Sequence, residues 1–168
     1  TTIANVTMTS MDSELCKIPD IISYNHYFGW YAGKVSQNGP WLDKFHKKHP
    51  NICIGLSEYG CECVLDWHTE TPKQGDYSEE YQCYYHEEML KTFAVRPFIW
   101  STHVWNMFDF AADARDEGGV KGMNNKGLVT YDRKTKKDSF YLYKAFWNKE
   151  PMVHLASKRY VYRCEDET

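Results

Sequence analysis

Residues 51–60 read NICIGLSEYG, and this stretch decides the expected fold. It is an almost unbroken run of apolar and small residues that ends at a carboxylate, Glu58. Strands that are buried on both faces have this pattern, and parallel sheets bury both faces of their strands. The stretch therefore predicts an inner strand of a parallel sheet, with Glu58 at its carboxyl end.

The rest of the chain alternates between strand-like and helix-like segments. The pattern predicts strands at residues 2–8, 20–24, 52–57 and 97–105, and helices at residues 41–48, 78–93 and 138–148. Ser78 can cap the second helix with its side-chain oxygen, and the glutamates that follow it favour a helix N-terminus. The alternating order predicts parallel strands joined by crossover helices.

Four strand–helix units make up half of an eight-stranded barrel, and the sequence begins directly in a strand. We therefore expect part of a larger α/β fold rather than a small open sheet. Two long polar segments, residues 69–77 and 111–125, come soon after strand ends, where an α/β barrel builds its active site. Residues 152–163 have a new β-like pattern, which we interpret as the beginning of another domain.

The composition argues against several classes of protein. The net charge of −3 gives no general attraction to nucleic acid or to an anionic membrane. No apolar run approaches the ~20 residues that a membrane-spanning helix needs. The cysteines lack zinc-site spacing and are interpreted as free thiols, with Cys53 buried in its strand, which slightly favours a reducing compartment such as the cytoplasm. The 13 Tyr and 6 Trp residues suit either ordinary packing or a concave surface that stacks on sugar rings.

Glu58 is the strongest candidate for a functional residue. A carboxylate at the carboxyl end of a parallel strand points toward the region where barrel enzymes place their catalytic groups. A solvated glutamate at a strand end would have the same pattern. The small residues Gly55 and Gly60 beside it permit close approach and favour the functional interpretation.

Four stretches together resemble family-2 glycoside hydrolases, the β-galactosidase and β-glucuronidase family. They are IISYNHYFGWYAG (21–33), IGLSEYG (54–60), WNMFDFAADARDEGG (105–119) and NNKGLVTYDRKTKKDSFYLYKAFW (124–147). The resemblance runs in order over residues 20–153. It implies that the chain is the C-terminal half, about strands 5–8, of a (β/α)8 TIM barrel. Residues 1–149 would belong to the barrel, and residues 150–168 to a linker or the start of a following β-sandwich domain.

The resemblance also implies roles for individual residues. Glu58 matches the nucleophile, and Tyr27 matches a tyrosine whose hydroxyl orients that nucleophile and helps to keep it ionised. Five further residues match positions that bind the sugar: Asn25, Trp105, Asn124, Lys126 and, with a looser match, His68. Each has an ordinary structural alternative, as a packed aromatic, a turn former or a hydrogen-bonding histidine. No metal site or cofactor is expected.

The implied reaction needs a second carboxyl group. A retaining glycosidase uses two carboxyls about 5–5.5 Å apart, one as nucleophile and one as acid/base. In this family the acid/base is a glutamate after an asparagine, and the chain contains no Asn-Glu pair. We therefore expect the acid/base to lie outside the chain, and the isolated chain to be inactive.

Two questions about function stay open at this level. The stretch at residues 105–134 favours a β-galactosidase, whereas an asparagine two positions before a lysine, as in Asn124 and Lys126, also occurs in β-glucuronidases. A non-catalytic carbohydrate-binding module is a further alternative. The expected partner is a carbohydrate substrate, a β-galactoside, with no nucleic acid and no membrane. A half barrel would leave unpaired strand edges, so we also expect self-association.

Overall fold

The computed structural model describes residues 1–161, and a parallel sheet organises the first part of the chain. Its four strands lie in the order β1 (Thr2–Val6), β2 (Ile21–Asn25), β3 (Cys53–Tyr59) and β4 (Ile99–Val104), and every adjacent pair is parallel. The helices are α1 (Asn38–Lys48), α2 (Glu79–Ala94) and α3 (Asp138–Trp147). The predicted parallel order of strands is confirmed.

The chain forms two compact units. Unit 1 contains Thr1–Cys61 and Tyr85–Asn106, and therefore the whole parallel sheet. Unit 2 contains Glu62–Tyr84 and the chain from Met107 onward. Helix α2 begins in unit 2 and continues in unit 1.

The core of unit 1 explains why the stretch at 51–60 is so apolar. Consecutive residues in the middle of β2 and of β3 are buried, so both faces of these strands are covered. Tyr24 packs edge-on against Trp41 of α1, with ring centroids 4.8 Å apart. Gly55 leaves room for the indole of Trp100, whose Nε1 donates a hydrogen bond to the carbonyl oxygen of Ile22 at 3.0 Å. Aromatic packing thus fixes the central strands.

Unit 2 has little sheet. A short antiparallel pair joins β5 (Phe110–Ala111) to β6 (Met123–Asn124) within the segment that the sequence predicts as a long polar loop. The backbone N–H of Tyr81 donates to Ser78 Oγ at 3.0 Å, which confirms the cap at the start of α2. Much of the buried interior of unit 2 is polar or charged.

Two sequence-based expectations are wrong. Cys53 lies in β3 but is exposed, because it is at the strand's first position rather than in its buried middle. Residues 152–161 contain turns and no strand. Their side chains contact the first turns of α2 and α3 instead: His154 Nε2 lies 2.8 Å from Asp138 Oδ1, and Arg159 Nε donates to Glu79 Oε2 at 3.1 Å. Residues 162–168, which include Cys164, lie outside the described residues.

The five cysteines within residues 1–161 are free thiols, as the spacing predicts. Within the same range, no helix is both long and apolar enough to cross a membrane.

Candidate active site

Glu58 lies near the carboxyl end of β3 and is half-buried. Its backbone carbonyl oxygen accepts a hydrogen bond from the N–H of His26 at 2.8 Å, just beyond the end of β2. The hydroxyl of Tyr27 donates to Glu58 Oε2 at 2.7 Å. Backbone and side chain of Glu58 are therefore both held by the residues that follow β2.

Tyr27 is suited to remain a hydrogen-bond donor. Burial raises the pKa of its phenol well above the ordinary value, and the hydrogen bond to the Glu58 carboxylate raises it further. A tyrosinate beside that carboxylate would put two negative charges in contact. The phenol thus stays neutral and fixes the carboxylate without cancelling its charge.

Asn25 lies opposite Glu58 in the register of β2 with β3. Its side-chain oxygen accepts a hydrogen bond from Ser57 Oγ at 2.7 Å, and its backbone oxygen accepts one from Thr7 Oγ1 at 2.8 Å. The side-chain amide of Asn25 is therefore oriented by a residue of β3, and its backbone carbonyl is held by the residue after β1.

Trp105 directly follows β4 and is half-buried. Its N–H donates to the carbonyl oxygen of Tyr59 at 2.8 Å, and its peptide bond to Asn106 is cis. A Cβ atom on Gly60 would overlap the Trp105 carbonyl oxygen. Glycine at position 60 is thus needed for β3 and the segment after β4 to approach each other.

The structure places the four candidates of unit 1 at one edge of the sheet. Asn25 and Tyr27 come from the end of β2, Glu58 from β3 and Trp105 from the residue after β4. The carboxyl ends of adjacent parallel strands meet at one edge, where α/β enzymes assemble catalytic groups. Tyr27 and Glu58 are in direct contact.

His26, between Asn25 and Tyr27, was not identified from the sequence. It is 1% exposed, and its ring packs edge-on against Phe28 and Trp41 with centroids 4.5 and 4.4 Å away. Neither ring nitrogen has a hydrogen-bond partner within residues 1–161. Burial lowers the pKa of His26 to about 4, so the ring is neutral at neutral pH.

The other three candidates lie in unit 2. Lys126 is 1% exposed, and its ammonium is 2.9 Å from Glu62 Oε1. Its backbone N–H donates to Asn124 Oδ1 at 3.1 Å, so these two candidates are in contact. The ammonium of Lys126 is thus held inside the protein by a carboxylate that the sequence analysis did not single out.

His68 has a structural environment of its own within unit 2. Its Nδ1 lies 2.9 Å from Glu80 Oε1, and its ring stacks on Tyr160 at 5.3 Å. Glu80 also accepts from the N–H of Thr69 at 3.2 Å. These contacts fix the loop that follows residue 67. The role of His68 in sugar binding stays a prediction.

A second buried ion pair was also missed. Lys137 is fully buried, and its ammonium contacts Asp109 Oδ1 at 2.9 Å and the carbonyl oxygens of Cys63 and Asn125 at 2.8 and 3.1 Å. Burial raises the pKa of Asp109, although the Lys137 ammonium opposes this shift. A charged residue between apolar or small residues could have indicated a buried charge. Glu62 in CECV, at residues 61–64, is an example.

No group of three or more His, Cys, Asp or Glu side chains that could hold a metal ion is present in the part of the chain that the structure describes. The exposed acidic residues Asp113, Asp116 and Glu117 lie in the segment between β5 and β6.

The chain is similar to one part of several longer proteins. It is 47% identical over 165 residues to a β-glucuronidase of Bacteroides fragilis, covering 95% of this chain and 24% of that protein. The crystal structure of an FMN-binding β-glucuronidase from Facaelibacterium prausnitzii L2-6 is 62% identical, with a TM-score of 0.94, and the match covers 96% of this chain and 25% of that one.

A second similar structure is described with the other activity. This Bacteroides fragilis protein, provisionally described as a β-galactosidase, is 37% identical with a TM-score of 0.89, over 96% of this chain and 25% of its own. No family model matches the sequence. The chain thus spans about a quarter of the length of these relatives. Over nearly its whole length it is similar to a piece of larger proteins described as glycosidases, and two of these three are β-glucuronidases.

Proposed function

We propose that this chain is part of the catalytic domain of a retaining β-glucuronidase of glycoside hydrolase family 2. The observation that carries the proposal is the half-buried carboxylate of Glu58, at the end of a parallel strand and hydrogen-bonded by the neutral hydroxyl of Tyr27 at 2.7 Å. The similar β-glucuronidases support the family and the choice of reaction.

The proposed architecture is a piece of a larger barrel. Strands β1–β4 would be about strands 5–8 of a (β/α)8 TIM barrel, within residues 1–149, and residues 150–168 would lead into a following domain. The four parallel strands and the similarity to about a quarter of longer chains are consistent with this assignment.

In the proposed mechanism, Glu58 attacks the anomeric carbon of the sugar and forms a covalent glycosyl ester. A second carboxyl group first protonates the leaving oxygen and then activates the water that hydrolyses the ester. The chain contains no Asn-Glu pair to supply that group. We propose that the acid/base belongs to sequence outside these residues, and that Tyr27 holds Glu58 in the orientation for attack.

The choice of sugar differs from the one that the sequence favours. The stretch at residues 105–134 suggests a galactoside, but the relatives named as β-glucuronidases support the alternative. In the proposal, Asn124 and Lys126 bind the carboxylate of the uronic acid, because a fixed ammonium forms a strong charge-assisted hydrogen bond with a carboxylate. Asn25 and Trp105 remain proposed sugar-binding residues, as the resemblance implies.

A comparison of substrates tests this function in the longer enzyme that we propose contains the chain. We expect an aryl β-glucuronide to be hydrolysed with a kcat/KM at least ~100-fold above that of the matching β-galactoside, because only the glucuronide carries the carboxylate that the ammonium binds. The opposite ranking would restore the galactosidase interpretation. Absence of hydrolysis of either substrate, with the protein folded and sugar still bound, would favour a carbohydrate-binding module.

The nucleophile can be identified separately by trapping. A 2-deoxy-2-fluoro-β-glucuronosyl fluoride should inactivate the enzyme and add one sugar to the peptide that contains Glu58. Peptide mapping by mass spectrometry locates the adduct. An adduct on another carboxylate would refute the assignment of Glu58.

The isolated chain should be inactive and should self-associate. It would lack the acid/base, and the outer edges of β1 and β4 would be unpaired, which favours pairing between copies. Sedimentation velocity and an aryl β-glucuronide assay test both points. A monomer that unfolds cooperatively, or turnover comparable to that of the longer enzyme, would contradict the proposed partial barrel.

A further inference from the structure

Glu62 is a buried carboxylate that the proposed mechanism does not use. It lies in unit 2, is 1% exposed, and follows the strand that carries Glu58 in the sequence. Burying a carboxylate is costly unless cations and hydrogen-bond donors surround it. The groups that surround Glu62 therefore indicate its role.

Both oxygens of Glu62 are occupied. Oε1 accepts from the ammonium of Lys126 at 2.9 Å and from the guanidinium of Arg115. Oε2 accepts from the backbone N–H of Asn125 at 3.3 Å. One carboxylate thus fixes both the backbone before Lys126 and the end of its side chain.

The rest of the same segment is held just as firmly. The carbonyl oxygen of Asn125 accepts from the N–H of Cys63 at 3.0 Å and from the ammonium of Lys137 at 3.1 Å. The N–H of Gly127 donates to Asp109 Oδ1 at 2.9 Å. The backbone is thus fixed on each side of Lys126. The hydrogen bond to Glu62 also restricts the side chain of this lysine.

Two cations and a second carboxylate lie around Glu62. Two cations, Lys126 and Arg115, meet one buried carboxylate. Arg115 also pairs with Glu117 at 2.7 Å, but Glu117 is 46% exposed, so water screens that pair. Glu62 is therefore a buried anion that both cations contact.

We propose that Glu62 is a positioning residue that selects uronic acids by holding the ammonium of Lys126 in place to receive the substrate carboxylate. This inference rests on the proposed function and extends it to a residue that does not itself contact the sugar. Because Glu62 acts through Lys126, its removal should affect substrates that carry a carboxylate far more than neutral sugars.

The test compares Glu62→Gln with the unmodified longer enzyme on an aryl β-glucuronide and on the matching β-glucoside, which lacks only the carboxylate. We expect kcat/KM on the glucuronide to fall roughly 10- to 100-fold, mainly through KM, as for a lost hydrogen bond to a charged group. On the glucoside we expect a change below about 3-fold. Glu62→Asp should restore part of the loss, and Glu117→Gln is the matched control on the exposed side of Arg115.

A double-mutant cycle separates positioning from general stability. In a Lys126→Ala background, Glu62→Gln should cause less than about 2-fold further loss on the glucuronide, because the residue through which it acts is gone. Equal losses on both substrates, accompanied by a fall in Tm, would overturn the proposal and leave Glu62 a structural residue. No loss on either substrate would also overturn it.

The unmodified enzyme reports separately on the proposed function. If it hydrolyses the glucuronide well and the glucoside poorly, the function stands, and the Glu62 variants alone decide the positioning role. If it shows no preference for the glucuronide, the proposed function fails and the role of Glu62 in selecting uronic acids fails with it.

Discussion

Glu58 and Glu62 are four positions apart in the sequence, yet they have opposite environments. Glu58 in unit 1 is half-buried and accepts a hydrogen bond from a neutral phenol. Glu62 in unit 2 is 1% exposed and is surrounded by two cations and a backbone N–H. The side chain of Glu58 keeps part of its surface accessible, whereas both oxygens of Glu62 accept hydrogen bonds from the protein.

The contrast shows how the environment of a proposed nucleophile differs from that of a carboxylate that positions other side chains. A nucleophile needs a lone pair that a substrate can reach, and a neutral donor such as Tyr27 orients it without neutralising it. Cations that saturate a carboxylate, as at Glu62, lower its tendency to attack carbon but fix the groups around it. Residue type alone does not distinguish these two cases, and burial and partners do.

The largest effect should follow the loss of Glu58. In the longer enzyme, Glu58→Gln should lower kcat by roughly three orders of magnitude or more, as removal of a covalent nucleophile does. Its Tm should stay close to that of the unmodified protein, because the side chain is not fully buried. Steady-state kinetics with a thermal melt checks both, with Glu87→Gln on the exposed face of α2 as control. Retention of most activity would show that Glu58 is not the nucleophile.

The buried charges of unit 2 should matter for stability. Lys137→Met leaves the Asp109 carboxylate buried without its cation, which should lower the free energy of unfolding by about 3–5 kcal/mol. Urea denaturation measures this change. The double variant Asp109→Asn with Lys137→Met should be less destabilised than Lys137→Met alone, and Lys134→Met, at an exposed position, should have little effect. A small loss in Lys137→Met would mean that water reaches the pair.

Unit 1 should be sensitive to acid through His26. Its pKa is about 4 in the folded protein because of burial, below the ordinary value of about 6.5. Between these values the unfolded chain binds a proton that the folded chain does not, so stability falls as pH falls from about 6.5 to 4. The loss should total roughly 3 kcal/mol.

Replacing the ring isolates this contribution. His26→Phe should flatten the dependence of unfolding free energy on pH in that window. His46→Phe, which replaces a histidine stacked on Phe98 at 4.1 Å, is the matched control for exchanging a histidine ring for a phenylalanine ring. An unchanged slope in His26→Phe would show that other groups cause the acid sensitivity.

The smallest effect should come from the donor to Glu58. Tyr27→Phe removes one hydrogen bond to a charged group, so kcat/KM should fall about 10- to 100-fold. Tyr31→Phe keeps its edge-on ring contact with Tyr27, at 5.2 Å, and should lose less than about 2-fold. If both variants behave alike, the hydroxyl of Tyr27 does not orient the nucleophile.

Prediction from sequence worked best where the pattern was local. The four strands and three helices were located within a few residues, because apolar runs, helix periodicity and a Ser78 cap are all short-range signals. The short pair of β5 and β6 was missed, because two-residue strands carry no periodicity. The tail at 152–161 has strand-like composition but contacts the starts of two helices, which composition alone does not reveal.

The sequence by itself determined the parallel strand order and the position of Glu58 at a strand end, because burial on both faces requires an unbroken apolar run. Only the tertiary structure decided which charges are buried together. Lys126 with Glu62, and Lys137 with Asp109, are brought into contact from distant parts of the chain. Each such pair forms only when the segments between its two members fold. A local pattern of residue types therefore does not predict how close the two charged groups lie in the folded protein.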